Sequence, residues 1–195
     1  MYSFGKSKPV KKAAKQKYHP VKICGEVCKL PIVEVGPNLS VALFNILGIN
    51  FVSPKICKSL AKKLPKEISA IVTPEVKSIC LAYEMSKVLK VPYIVLRKTL
   101  KPYMVNSIGI EVLSITTGKP QNLFLDGKDR KKIRGKKVML LDDVISTGET
   151  LKGMRALMKK AGAKIAAEAA VFTEGEENFW KEVVSLGHLP LFKSK

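Results

Sequence analysis

Residues 138–151 read VMLLDDVISTGETL, and this stretch constrains the fold more than any other part of the chain. Apolar residues lead directly into two adjacent aspartates, Asp142 and Asp143. A run without polar alternation predicts a strand over 138–142 that is buried on both faces. Strands of this kind form parallel sheets, in which ligands bind beyond the carboxyl ends. We therefore expect the two carboxylates at the mouth of a ligand site.

Strands and helices alternate along much of the remaining chain. Segment 21–46 has an extended pattern around a Gly-Pro-Asn turn, and segment 99–125 is irregular except for a hairpin around Gly118-Lys119-Pro120. Apolar runs and helical spacing predict strands at 68–72, 92–96 and 164–172, and helices opening at Ser53-Pro54 and over 77–90 and 147–161, the last ended by Gly162. This order predicts an α/β fold with a parallel sheet.

The composition favours one soluble domain. A chain of 195 residues with 46% hydrophobic residues can bury a single sizeable core. Its apolar runs all fall short of the roughly 18 residues that span a bilayer, so we expect no membrane association. The first twenty residues lack the apolar segment of a secretory signal. We therefore expect the protein in the cytoplasm.

The formal net charge of +19 indicates anionic partners, either phosphorylated metabolites or nucleic acid or both. Segment 1–18 is rich in lysine and poor in apolar residues, which predicts a disordered basic tail. A solvated tail is the favoured interpretation, and contact with nucleic acid is the alternative.

The four cysteines do not form a metal-binding pattern. Cys24 and Cys28 are spaced C-x3-C, while Cys57 and Cys80 stand alone. A zinc site needs a second close pair of ligands, and the two histidines of the chain lie far apart in sequence. We therefore expect reduced, structural thiols.

The loop after the buried strand suits a phosphate group. Residues 144–149 join the strand to a helix that is predicted to begin near Thr147, and the first N–H groups of a helix lack partners. Ser146, Thr147 and Thr150 can add hydroxyl donors, whereas the aspartates accept hydrogen bonds from vicinal hydroxyls or bind hydrated Mg²⁺. This combination predicts a ribose-5-phosphate site. A simple helix cap would not explain two carboxylates after a buried run, and no Walker-type string is present.

The string LLDDVISTGETL resembles the phosphoribosyl pyrophosphate (PRPP) signature of type I phosphoribosyltransferases. VPYIVLRK is similar to a strand of the adenine phosphoribosyltransferase branch that ends in Arg-Lys, and IVTPEVKSICLAYEMSKVL is similar to its pyrophosphate loop and following helix. The resemblance extends over roughly residues 30–175. It implies the type I phosphoribosyltransferase fold, with a central parallel sheet flanked by helices and a small N-terminal hood.

The resemblance also assigns roles to individual residues. Asp142 and Asp143 would be catalytic and would hold the ribose hydroxyls, partly through Mg²⁺. Thr73 to Lys77 would form the pyrophosphate loop, and Arg97 with Lys98 would neutralise the pyrophosphate. The residues that it assigns to PRPP binding are Ser146, Thr147, Gly148, Glu149, Thr150, Glu75, Val76, Lys77, Arg97 and Lys98.

The implied protein is a single domain over 19–195, with a hood mainly at 19–50 and a mobile loop at 99–125. It would transfer ribose-5-phosphate from PRPP to a purine base, giving a nucleoside monophosphate and pyrophosphate, and would form a homodimer. Thr116 stands where the adenine branch usually has a glutamate, so adenine, xanthine and hypoxanthine all remain candidates. Two alternatives stay open: a PRPP-sensing regulator that binds nucleic acid through its basic tail, and an orotate-type pyrimidine enzyme.

Overall fold

The computed structural model describes residues 16–48, 54–113 and 120–193. The N-terminal part contains strands only, and the rest of the chain alternates strands with helices. In chain order the elements are β1 (Tyr18–Ile23), β2 (Glu26–Gly36), β3 (Leu39–Ala42), α1 (Pro54–Ala61), β4 (Ala70–Pro74), α2 (Ile79–Leu89), β5 (Tyr93–Leu96), β6 (Ile108–Leu113), β7 (Pro120–Leu125), α3 (Gly127–Ile133), β8 (Lys137–Ile145), α4 (Glu149–Ala161), β9 (Lys164–Glu174), a 3-10 turn (Glu177–Trp180), β10 (Gly187–Leu189) and β11 (Leu191–Lys193).

A five-stranded parallel sheet forms the centre, in the order β10-β9-β8-β4-β5. Each neighbouring pair is parallel, and β8 lies between β4 and β9. The predicted α/β class with a central parallel sheet is therefore confirmed. Because the strands are parallel, the carboxyl ends of β4, β5, β8 and β9 lie at one edge, where a ligand site is expected.

Both faces of the sheet are buried, and the alternation of side chains along the central strands divides the core in two. Ile71 and Met139 point into a cluster with α1, α2 and the N-terminal strands, whereas Val72 and Leu140 point into a cluster with α3 and α4. The apolar run that begins β8 therefore fills both clusters, which explains why it shows no polar alternation.

The predicted extended segment 21–46 forms most of an antiparallel sheet, in the order β1-β2-β3-β11. Asn38, in the predicted Gly-Pro-Asn turn, has a φ of 58°. The predicted boundary of the tail at residue 18 was too late, because Tyr18 pairs with Pro31 and the N–H of Ile32 donates to the carbonyl of Lys17. Residues 1–15 and the predicted cap Ser53 lie outside the described residues.

Segment 99–125 contains more regular structure than its sequence predicts. Strands β6 and β7 form an antiparallel ribbon, so the predicted hairpin is confirmed and the irregular assignment was wrong for these strands. Ile108 and Ile110 are partly buried and pack against the α4 side of the core. The turn at 114–119, which includes Thr116, lies outside the described residues, and the mobility of this segment stays a prediction.

All four cysteines are free thiols, as expected. Burial raises the pKa of Cys57 to about 12, which keeps this thiol protonated at neutral pH. Within the described ranges no three His, Cys, Asp or Glu side chains cluster as metal ligands would. None of the helices in the described part has the length and apolar character needed to cross a membrane.

Candidate active site

The two adjacent aspartates lie within a strand and not after it. Strand β8 was expected to end at Asp142, but it continues to Ile145 because Asp142, Val144 and Ile145 pair with β9. Asp142 is partly exposed to a cleft, whereas Asp143 is 6% exposed. The pair therefore lies at the carboxyl edge of the sheet, as predicted, but is held by the strand on both sides.

Asp142 is fixed by two hydrogen bonds to one of its oxygens. Its Oδ1 accepts from the Ser78 hydroxyl and from the N–H of Asp143, both at 2.9 Å. Burial, and after it the charge of Asp143, raises the pKa of Asp142 to about 7. Two carboxylates this close do not both ionise readily, so a bound donor or cation is needed to stabilise the fully charged pair.

Asp143 has an oxygen that no described group satisfies. Its Oδ2 is buried and has no hydrogen-bond partner among the described residues. Leaving a buried acceptor unpaired costs about 1–3 kcal/mol, and more for a charged group. An oxygen in this state is suited to a ligand hydroxyl or a hard cation such as Mg²⁺, which prefers oxygen ligands.

The loop after β8 leads into α4 through a glycine. The helix was expected to begin at Thr147, but it begins at Glu149, with Gly148 as N-cap at a φ of 75°. Asp142 and residues 144–151 line a cleft of about 110 Å³. The structure thus brings Asp142 together with all five loop residues that were predicted to bind phosphate: Ser146, Thr147, Gly148, Glu149 and Thr150.

Two of these loop side chains differ from their expected state. The Ser146 hydroxyl donates to Glu174 Oε2 at 2.5 Å, so its proton is directed away from the cleft and the expected hydroxyl donor is not available in this arrangement. Glu149 is only 7% exposed, although it begins a helix beside a predicted phosphate site. The loop therefore offers an anion mainly its backbone N–H groups and the hydroxyls of Thr147 and Thr150.

The predicted pyrophosphate loop follows β4 at the same edge. Thr73 and Pro74 are buried in the strand, the Glu75-Val76 peptide bond is cis, and Val76 and Lys77 are exposed. Only the segment after Pro74 therefore presents side chains to solvent. The link between Ser78 and Asp142 attaches this segment to the carboxylate pair across 64 residues of sequence.

Glu75 connects this loop to the end of β5. Its Oε1 accepts from the N–H of Lys98 at 2.5 Å, and its Oε2 lies 3.0 Å from Arg97 Nε, at an angle outside hydrogen-bond geometry. Arg97 also exchanges backbone hydrogen bonds with Phe124 of the ribbon. The charge of Arg97 is therefore partly balanced by Glu75, whereas the exposed Lys77 and Lys98 have no ion pair within the described part of the chain.

A family model for the phosphoribosyl transferase domain matches residues 47–182. The chain belongs to this family. It is 34% identical over 134 residues to the hypoxanthine/guanine phosphoribosyltransferase of Methanotorris igneus, covering 66% of this chain and 69% of that protein. It is 30% identical over 155 residues to the protein of the same name from Methanococcus vannielii, covering 77% and 79%.

Solved structures confirm the phosphoribosyltransferase fold. The adenine phosphoribosyltransferase of Rhodothermus marinus superimposes with a TM-score of 0.61 at 18% identity, covering 88% of this chain and 94% of that one. The enzyme of the same name from Giardia lamblia, complexed with 9-deazaadenine, has a TM-score of 0.59 at 18% identity and covers 76% and 93%.

Sequence reasoning missed the residues behind the phosphoribosyltransferase loop. Glu174 accepts from Ser146 through its side chain and from Trp180 Nε1 through its carbonyl, at 2.9 Å, and the Trp180 ring lies against Gly148. Strand β9 was predicted to end at 172, which excluded Glu174 from the site edge. The parallel topology was the available signal, because β9 must end beside β8.

Proposed function

We propose that this phosphoribosyltransferase transfers ribose-5-phosphate from PRPP to a purine base, releasing pyrophosphate and a nucleoside 5′-monophosphate. The observation that carries this proposal is the cleft where the glycine-capped start of α4 meets Asp142, with the buried Asp143 next to it in the strand. The relatives that are named for hypoxanthine and guanine support a purine as acceptor.

The start of α4 suits the 5-phosphate of PRPP. The first-turn N–H groups of this helix have no helical acceptor, and the helix dipole favours an anion at the same point. Gly148 lets the backbone turn into the helix without a Cβ, so the N–H groups of residues 148–150 can surround one phosphate. Thr147 and Thr150 add hydroxyl donors at the rim of the cleft.

The carboxylate pair suits the ribose. Vicinal hydroxyls can donate to Asp142 and to the unpaired Oδ2 of Asp143, which would satisfy the buried acceptor. Departure of pyrophosphate leaves a positively charged, oxocarbenium-like ribose. Fixed negative charge next to that centre stabilises the transition state more than the ground state.

Mg²⁺ fits this set of oxygen donors. Asp142 and Asp143 would hold the ion together with PRPP hydroxyls or water, because the described residues supply no third acidic ligand. When bound, Mg²⁺ withdraws electron density from the pyrophosphate leaving group. The exposed Lys77 and Lys98 attract the same leaving group, and Glu75 holds Arg97 and Lys98 in register with the loop after β4.

A recess beside the phosphate loop suits a flat base. It measures about 450 Å³, is mainly apolar, and is lined by Thr147, Phe179, Trp180 and Leu191 among others. Leu191 belongs to β11, which pairs with β3 of the N-terminal sheet, so the recess lies beside the predicted hood. Phe179 is 75% exposed there and offers a ring face for stacking.

A panel of bases tests the purine assignment. With PRPP and Mg²⁺, we expect kcat/KM for hypoxanthine or guanine to exceed that for adenine by about tenfold or more, because recognition of the 6-oxo edge leaves a site group unpaired with adenine. Xanthine and orotate complete the panel, and pyrophosphate release is the measurement. Turnover of orotate alone would contradict the purine assignment, and strict use of adenine would contradict the 6-oxopurine preference.

Closure of segment 99–125 over the site is part of the proposal, because water must be excluded from an oxocarbenium-like centre. We expect a protease of broad specificity, proteinase K, to cut the free protein between Lys98 and Asp126, and PRPP with Mg²⁺ to slow that cut severalfold. Mass spectrometry of the fragments identifies the position. Trypsin is not suitable here, because Lys101 and Lys119 both precede proline. Cleavage that ligand leaves unchanged would refute closure.

The homodimer and the cytoplasmic location are also part of the proposal. Leu100, Tyr103 and Val105, which follow β5, expose more than half of their surface, and a second copy of the chain would cover such side chains. Cytoplasmic residence follows from the pool of PRPP and free bases on which such an enzyme depends.

A further inference from the structure

The edge of the parallel sheet opposite the cleft is strongly basic. Lys137 begins β8 and Lys164 begins β9, and the two are direct partners in the pairing of these strands. The N–H of Lys164 donates to the carbonyl of Lys136 at 2.8 Å, and Lys66 lines one groove with Lys137 and Lys164. Cations from three separate chain segments therefore meet at the amino ends of the strands.

Helix α3 extends this surface. The N–H of Gly135 donates to the carbonyl of Gly162 at 2.7 Å, which places Arg134 next to the end of α4. Lys131 lies in the last turn of α3, close to Arg134 in the chain. We call the following exposed residues the basic edge: Lys66, Lys131, Arg134, Lys136, Lys137 and Lys164.

Little negative charge balances the basic edge. Glu67 forms an ion pair with Lys137, and among the described residues it is the only acid that lines the groove. The other five cations of the basic edge have no ion pair with any described residue. The cations repel each other, and this cost falls when an external anion binds.

Helix stability explains only part of this arrangement. Lys131, and also Lys159 and Lys160 at the end of α4, lie in last turns, where cations interact favourably with the helix dipole. Lys66, Lys136 and Lys164 lie in loops or at strand starts, where no helix gains from them. Interaction with a helix dipole therefore does not account for the position of these three lysines on one edge.

The proposed reaction does not use these cations. Lys137 and Asp142 are five residues apart on β8, which is about 17 Å along a strand. That separation exceeds the Debye length of about 8–10 Å at physiological salt, so the basic edge contributes little to PRPP binding in the cleft.

We propose that the basic edge binds the phosphate backbone of duplex DNA without reading its sequence. Duplex DNA carries one charge per about 1.7 Å of axis and releases more counterions per contact than a single strand does. Among the described residues, those that line the groove with Lys66, Lys137 and Lys164 include no aromatic side chain on which the bases of a single strand could stack. The cations of the basic edge lie in loops, at strand starts and at the end of α3, and contacts from lysine and arginine side chains to phosphates carry no sequence information.

The test compares two triple variants of the full chain with equal charge change. Lys66→Gln, Lys136→Gln and Lys164→Gln remove three cations of the basic edge, whereas Lys22→Gln, Lys29→Gln and Lys181→Gln remove three exposed lysines elsewhere. Fluorescence anisotropy with a labelled mixed-sequence DNA duplex measures Kd between about 50 and 200 mM salt. PRPP-dependent turnover is measured in parallel and should stay at the wild-type value in the basic-edge variant.

We expect the basic-edge variant to bind DNA at least about tenfold more weakly, with a log–log salt slope less negative by roughly two to three, since each lost phosphate contact changes it by about 0.9. The control should bind like the wild type. Equal weakening in both variants, or none in either, would overturn the proposal and assign binding to net charge or to residues 1–15. Tighter binding to an RNA duplex or to anionic vesicles than to DNA would also overturn it.

Discussion

Exchanging Asp142 and Asp143 together for asparagine is expected to lower PRPP-dependent turnover by about 10²–10³-fold while the fold is retained. The pair provides the fixed negative charge beside the ribose, and neither carboxylate fills the apolar core. An asparagine Oδ1 can still accept from Ser78 and from the N–H of residue 143, so the local backbone is preserved. Pyrophosphate release and circular dichroism together separate lost chemistry from lost structure.

The single variant Asp142→Asn is expected to be more stable than the wild type at pH 8. The folded pKa of Asp142 is raised from 3.8 to about 7, so between these values the folded protein binds more protons than the unfolded chain. The unfolding free energy therefore falls as pH rises through this window. The variant carries no charge at residue 142 at any pH. Its Tm should therefore exceed that of the wild type by several degrees at pH 8, and this difference should disappear near pH 4.

Asp129→Asn is the matched control, because Asp129 lies on α3 in an ion pair with Lys132 and outside the cleft. It should leave turnover unchanged and should not raise Tm at pH 8. Wild-type turnover in the variant with both Asp142 and Asp143 exchanged would show that the reaction does not need these carboxylates. A Tm for Asp142→Asn below that of the wild type at pH 8 would show that ionised Asp142 does not destabilise the ligand-free protein.

The second large effect concerns Gly148→Ala, which is expected to raise the KM for PRPP about tenfold or more and to lower Tm by several degrees. Gly148 has a φ of 75°, where a non-glycine residue costs about 1–2 kcal/mol. An added Cβ would also lie 2.5 Å from Cη2 of Trp180, so either the ring or the loop must move. Displacement of the loop misaligns the N–H groups that surround the phosphate.

The variant Gly162→Ala separates the backbone cost of a positive φ from the contact with Trp180. Gly162 caps the other end of α4 at a φ of 77°, but its added Cβ would meet only Arg134 Cγ at 3.5 Å, an ordinary contact. This control should lose stability through the backbone cost and should keep the wild-type KM for PRPP. Equal changes of KM in both variants would contradict a specific role for the Gly148–Trp180 contact.

The sequence predicted the parallel sheet and the position of the carboxylates, but not how far β8 extends. Asp142 and Asp143 interrupt an apolar run, and a pattern of hydrophobicity ends where such a run is interrupted. The strand continues because its backbone pairs with β9, with Asp142 opposite Ala170 and Val144 opposite Phe172. Pairing partners lie far away in sequence, so their effect on a strand boundary is not encoded locally.

Three other differences also involve contacts between residues that are distant in sequence. Ser146 and Thr147 are favoured helix caps, yet Gly148 caps α4 because only glycine reaches this turn without strain beneath Trp180. Strand β6 was missed because Gly109 weakens its alternating pattern, and the structure shows the Phe124 ring where a Cβ of residue 109 would lie. The hydrogen bond from Ser146 to Glu174 spans 28 residues and has no signature in either segment.

The contact between Trp180 and Gly148 also gives the molecule an optical reporter. The chain contains one tryptophan, and its ring lies on the loop that is proposed to receive the phosphate. Emission from the protein therefore arises from a single, half-buried indole whose N–H is bonded to the carbonyl of Glu174. Because the indole lies against Gly148 and lines the adjacent recess, we expect ligand binding there to change its emission, which makes ligand affinity accessible from unlabelled, unmodified protein.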